Sequence, residues 1–124
     1  MSARIFTPGS EATRALFALA LLVVSVGAVI DAGSSPAATL NDKIQHVLAF
    51  GLLAVLASVA FPRCPPWTRV LPGLLGYGLL MECVQGLLPW REFSLLDLMA
   101  DLCGAVLALG AIALKTRAGG GQRT

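Results

Sequence analysis

The sequence predicts an all-α membrane protein, a four-transmembrane-helix bundle with both termini on the cytoplasmic side. Three observations carry that prediction. Of 124 residues, 56% are hydrophobic and 13% charged, with a mean hydropathy of +0.79, whereas a water-soluble chain carries about a quarter charged residues. The apolar residues gather into four continuous runs rather than alternating, and each run is far longer than a strand. Charged residues fall almost entirely between the runs or at their edges.

Taken in order, the first helix is expected over residues 15–31, after a cytoplasmic N-terminus of residues 1–14. Ala15 to Ile30 carries no charge, and Arg4 and Arg14 flank it. A cleaved signal peptide, with Val26-Gly27-Ala28 as its cleavage-like site, fits less well. The apolar run exceeds the usual ~7–15 residues, and Arg14 begins it late. The segment DAGSSPAATLN reads as a polar turn, with Asn41 or Asp42 capping a second helix over residues 42–61. From Ile44 to Phe61 the polar residues are Gln45, His46 and Ser58. PRCPPWT is a stiff connector. A third helix over residues 70–88 contains Glu82 and Gln85, with Pro72 near its start, where a missing N–H costs little.

The fourth helix, over residues 94–115, opens on Ser94-x-x-Asp97, a capping box with Asp in place of Glu. Residues 116–124 read as a disordered cytoplasmic tail. Spanning helices need roughly 17–25 residues, which the second to fourth runs supply and the first supplies with its flanks. Residues 15–115 form one membrane domain, leaving no room for a separate soluble one.

Charge sets the expected orientation. Arg4 and Arg14 precede the first helix, Arg63 and Arg69 lie between the second and third, and Lys115, Arg117 and Arg123 follow the fourth, against Lys43 and Arg91 on the other side. Basic short loops stay in the cytoplasm. Trp67 and Trp90 lie at helix ends on opposite faces, where indoles favour the headgroup region. Cys64, Cys83 and Cys103 have no CxxC spacing and read as packing residues, not a disulfide framework. The cations flank helices instead of forming a stripe, so no nucleic-acid partner is implied.

The polar residues inside the runs gather at the outward end. Asp42 and His46 are four apart, and Lys43 and His46 three apart, so they share a helix face. Glu82 and Gln85 share another, and Asp97, Asp101 and Gly104 form a third stripe. At 1.5 Å per residue Glu82 lies about 9 Å, and Asp101 about 10 Å, below the outer helix ends. Asp42, Ser94 and Asp97 are explained well by capping and the helix dipole. Glu82 and Asp101 lie at no helix end, so a functional role is expected of them together with His46. Intramembrane ionisable groups pair with one another and mark functional sites.

Taken together, Asp42-Lys43-x-x-His46-x-x-x-Phe50, Glu82-x-x-Gln85 and Arg91-x-x-Ser94-x-x-Asp97-x-x-Ala100-Asp101-x-x-Gly104 resemble the VanZ-like family of small bacterial membrane proteins. The resemblance runs from Asp42 to about Gly110. The family often has Asn where this chain has Asp101, which adds an acid here. The name comes from a member linked to low-level teicoplanin resistance. The resemblance implies a multi-pass protein of the bacterial cytoplasmic membrane whose matched polar residues form the functional centre, without assigning an activity.

Three functions fit. The first is binding or handling of a cell-envelope lipid or glycan-carrier headgroup in an outward-facing polar chamber, through Lys43, His46, Glu82, Gln85, Arg91, Ser94, Asp97 and Asp101. The second is a membrane enzyme acting on a lipid-linked substrate, with Glu82, His46 and Asp101 as candidate acid–base groups, although no serine or cysteine nucleophile stands beside them in a recognisable motif. The third is a non-catalytic accessory or assembly subunit. Membrane lipids are the expected partners, and an oligomer is compatible but not indicated. No cofactor is expected. His46, Glu82 and Asp101 could sterically surround a metal, but there is no HxxxH or HExxH pair, so none is expected.

Overall fold

The structure, a computed structural model, describes residues 6–30 and 36–120. They form four α-helices: α1 (Glu11–Val29), α2 (Pro36–Ala60), α3 (Leu71–Gly86) and α4 (Leu95–Gly120). No strand occurs among them. Three helical stretches are long and apolar enough to cross a membrane: Glu11–Val29, Asn41–Ala60 and Leu95–Gly120. At 16 residues α3 is shorter, but a π-helical turn over Pro66–Val70 leads directly into it.

Helix ends differ from the sequence expectation for local reasons. Ser10 caps α1, its hydroxyl accepting from the Thr13 N–H at 3.2 Å, so the helix starts ahead of Arg14. α2 begins at Pro36 rather than at an Asn41 or Asp42 cap. Proline is tolerated in a first helical turn, and the following alanines continue the helix. Asp42 therefore sits inside a helix and is not a cap. α3 gives way at Gly86, with Pro89 beyond it in a turn, and α4 continues past Lys115 to Gly120, helical where a tail was expected. Arg4, Arg123 and most of the turn before α2 lie outside the described residues.

α2 is the centre of the bundle and packs most extensively on α4. The two run parallel: Lys43 meets Asp97, His46 meets Asp101, and Gly51 meets Gly104 in that order along both chains. A Cβ on Gly104 would collide with the Val47 carbonyl, so glycine here is what lets the backbones touch. α3 runs antiparallel to α4, with Gly78 against Asp101. α1 covers the opposite face of α2 and α3. There the Ser25 and Tyr77 hydroxyls lie 2.6 Å apart, and the Phe17 and Phe61 rings meet edge to face.

The buried core is Phe50, Leu53, Ala54, Ala57, Val70, Leu74, Ala105 and Leu109. Large apolar side chains cover the outside. Ile44, Leu48, Leu52 and Val55 form an exposed stripe on α2, and Met99, Val106 and Leu107 belong to the exposed surface of α4. Contiguous apolar surface on that scale is untenable in water and suits lipid.

Candidate functional site

The antiparallel turns bring the C-terminal ends of α1 and α3 and the N-terminal ends of α2 and α4 to one end of the bundle. Asp42, Lys43, His46, Glu82, Arg91, Asp97 and Asp101 all meet there. His46 is the hub. Its Nδ1–H donates to Asp101 Oδ1 at 2.6 Å, while Nε2 lies 3.7 Å from both Asp42 Oδ2 and Asp97 Oδ2. Lys43 Nζ donates to Asp97 Oδ1 at 2.9 Å, and Arg91 Nη1 to Asp42 Oδ1 at 3.1 Å.

Glu82 takes a part the sequence did not indicate. Its Oε2 accepts the Ser94 N–H at 3.0 Å, one of the unpaired donors at the start of α4. The expected capping box is thus divided. Ser94 Oγ accepts from the Asp97 N–H at 3.2 Å as anticipated, but the reciprocal acceptor is Glu82 of α3, because Asp97 turns instead to Lys43. Glu82 is therefore partly a cap, supplied from another helix, although it lies inside its own.

Neither deep carboxylate faces an open chamber. Glu82 is 0% and Asp101 1% exposed. Glu82 Oε1 and Asp101 Oδ2 are buried without a hydrogen-bond partner, as is Gln85 Oε1. Asp101 Oδ2 fits because residue 78 is glycine: a Cβ there would stand 2.9 Å from this oxygen and 3.2 Å from the Phe50 ring. Sealed polar groups left in this way are costly, since the unmatched atom loses its hydration with nothing to replace it.

The charge balance is acidic. Four carboxylates (Asp42, Glu82, Asp97, Asp101) face two fixed cations and one imidazole. Lys43 and Arg91, two of the residues expected to bind a headgroup, are matched to Asp97 and Asp42.

The other polar residues close the end of α1, whose last carbonyls lack intrahelical donors. Gln85 Nε2 donates to Ala28 O at 2.8 Å and the Trp90 indole to Val29 O at 2.9 Å, while Arg91 Nη2 reaches Ile30 O at 3.0 Å. Beside the cluster lies a cleft of about 140 Å³ between α1, α2 and α3, lined by Val24, Ala28 and Ala49 together with Asp42, His46, Gln85 and Arg91. Nothing in the sequence marked this cleft, because it depends on how α1 and α3 settle against α2. The glycine spacing on α3 was the available hint.

An all-helical bundle of membrane-spanning character, with ionisable groups of three helices locked together at one end, is the class of protein these features define. The family model described as VanZ/LLP1 matches residues 5–116, and the chain belongs to that family. A fission-yeast protein (Schizosaccharomyces pombe), itself described as uncharacterized, is 31% identical over 98 residues, covering 76% of this chain and 60% of its own length. The chain thus spans a little under two thirds of that relative, which is eukaryotic. No solved structure matches the chain.

Proposed function

We propose that this protein handles the polar headgroup of a membrane lipid, or of a lipid-linked envelope precursor, at the cleft beside His46. The observation that carries the reading is the cleft itself: an opening beside the cluster whose lining includes Asp42, His46, Gln85 and Arg91. Because Lys43 and Arg91 are committed to carboxylates, recognition runs through acceptors. The Asp42 carboxylate, which lines the cleft with its side chain 22% exposed, suits a headgroup that presents hydroxyl or amine donors.

Four spans, with both termini cytoplasmic, fit this reading. α2 and α4 are parallel, so if both cross the bilayer in the same direction the chain between them has to return. The π-helical turn and α3 together are 5 and 16 residues long, about 30 Å at 1.5 Å per residue and so close to the hydrocarbon thickness. The excess of Arg and Lys at the far end supports an extracytoplasmic cleft in this reading, which takes the membrane to be the bacterial cytoplasmic one.

Native mass spectrometry of the detergent-purified protein tests the headgroup reading, with Ala49→Leu as the comparison because its side chain fills the cleft without touching the ion pairs. A headgroup-selective lipid adduct that Ala49→Leu abolishes is expected. The same lipid profile in both proteins, or no adduct in either, would remove the proposal. A second reading rests on the 2.6 Å His46–Asp101 pair, the arrangement of a base held by a carboxylate. In that case lipids carrying a cleavable headgroup are turned over by the wild type and not by His46→Gln, and unchanged lipids in both would discard it.

A further inference from the structure

The geometry points to a divalent transition-metal site formed by His46, Glu82 and Asp101, three ligands from three helices. One donor atom from each lies within 4.8 Å of the others. Ligands about 2.0–2.2 Å from a shared ion stand roughly 3–4 Å apart, so small side-chain rotations close the set once the proton of the His46–Asp101 hydrogen bond is released. Two buried atoms argue for an ion here and not merely for an acidic corner. Glu82 Oε1 and Asp101 Oδ2 belong to side chains 0% and 1% exposed, and neither meets a hydrogen-bond donor.

A second group, Asp42, His46 and Asp97, has similar proximity, but its acids are neutralised by Arg91 and Lys43 at 3.1 and 2.9 Å. The uncompensated negative charge therefore rests on Glu82 and Asp101, with His46 as their neutral or cationic neighbour. One imidazole nitrogen and two carboxylates suit zinc, manganese or cobalt. Calcium wants six to eight oxygens, and magnesium keeps several waters. Three protein ligands leave a coordination position open, and the cleft alongside His46 provides the way in. Sequence spacing argued against a metal because no two ligands share a helix; the packing of α2, α3 and α4 assembles them. The site stands whether or not a lipid enters the cleft.

Titration of the purified, chelator-stripped protein with Mn²⁺, followed by electron paramagnetic resonance, tests it, with Zn²⁺ as competitor. One saturable site per chain is expected. Glu82→Gln and Asp101→Asn should each weaken binding by at least ~100-fold, whereas Asp42→Asn and Asp97→Asn should cost less than ~10-fold. Circular dichroism confirms folding, and Asp101→Asn serves if Glu82→Gln disturbs the α4 cap. Loss confined to Asp42→Asn and Asp97→Asn would overturn the assignment, as would a wild type with no saturable Mn²⁺ or Zn²⁺ binding. An infrared protonated-carboxyl band that Glu82→Gln removes and added Mn²⁺ leaves unchanged would likewise replace the metal with a proton.

Discussion

Gly104→Ala isolates the contact on which the site's assembly depends. The added Cβ would meet the Val47 carbonyl carbon at 2.9 Å and its Cα at 3.0 Å, where carbon pairs prefer about 3.5–4.0 Å. Helical backbone has no rotamer to yield, so α2 and α4 must part by roughly 1 Å. Asp101 lies one turn from Gly104. The same displacement would carry its 2.6 Å bond to His46 beyond the usual range of about 2.5–3.2 Å.

Overpacking costs about 1–3 kcal/mol, and loosening a hydrogen bond to a charged group costs about 1.5–3 kcal/mol. Replacing a helical glycine returns about 0.8–1 kcal/mol. The net loss is therefore about 2–5 kcal/mol, with the Lys43–Asp97 pair left out because Lys43 is a third exposed. Gly110→Ala is the matched control on the same helix: a Cβ there meets nothing within 4 Å, so that variant should equal or slightly exceed wild-type stability. Reversible unfolding in mixed detergent micelles, followed by tryptophan fluorescence, measures both. Wild-type stability for Gly104→Ala would refute the close α2–α4 approach and, with it, the geometry of the cluster.

Three other outcomes follow from the same contacts. Gly78→Ala should displace Asp101 Oδ2 and the Phe50 ring, which stand 2.9 and 3.2 Å from the new methyl, and cost about 1–3 kcal/mol in the same unfolding assay; no loss would mean that this pocket has slack. Arg91→Lys should fail to rescue Arg91→Ala, because one ammonium cannot reach Asp42, Gly27 and Ile30 together; equal thermal midpoints for the lysine variant and wild type would refute that. For topology, Cys64 with Cys83 and Cys103 replaced by Ala should react with an impermeant maleimide only from the cytoplasmic face, and Glu92→Cys in that background, with Cys64→Ala added, only from the opposite face. Labelling of both from one side would mean that α3 does not cross.

The all-helical bundle was legible because bilayer thickness imposes long uninterrupted runs, although three of the four helices rather than all four are long and apolar enough to span. The convergence of His46, Glu82 and Asp101 was legible because helix depth is simple arithmetic. Partner choice was not. Asp42 looked like a cap because the residues before it, Pro36 among them, resemble a loop, yet the helix begins there and leaves Asp42 facing Arg91. Glu82 looked functional because it lies inside a helix, and spacing along one chain cannot show that its oxygen meets the Ser94 N–H of the next. Short-range rules identify which groups need partners. Which partner arrives is decided by crossings such as Gly104 against Val47.

Each carboxylate in the cluster divides its two oxygens in the same way. Asp42 gives Oδ1 to Arg91, Asp97 gives Oδ1 to Lys43, Glu82 gives Oε2 to Ser94, and Asp101 gives Oδ1 to His46. One oxygen of each is thus spent on a contact to another segment; the second oxygens of Asp42 and Asp97 lie 3.7 Å from His46 Nε2, and those of Glu82 and Asp101 are buried without a partner. Losing such an acid by Ala substitution removes both at once, and would read as misfolding whatever the site does. Asp→Asn and Glu→Gln keep an oxygen for the fold while removing the charge. The amide variants, with their folding measured in parallel, are therefore the ones that separate the protein's architecture from its chemistry.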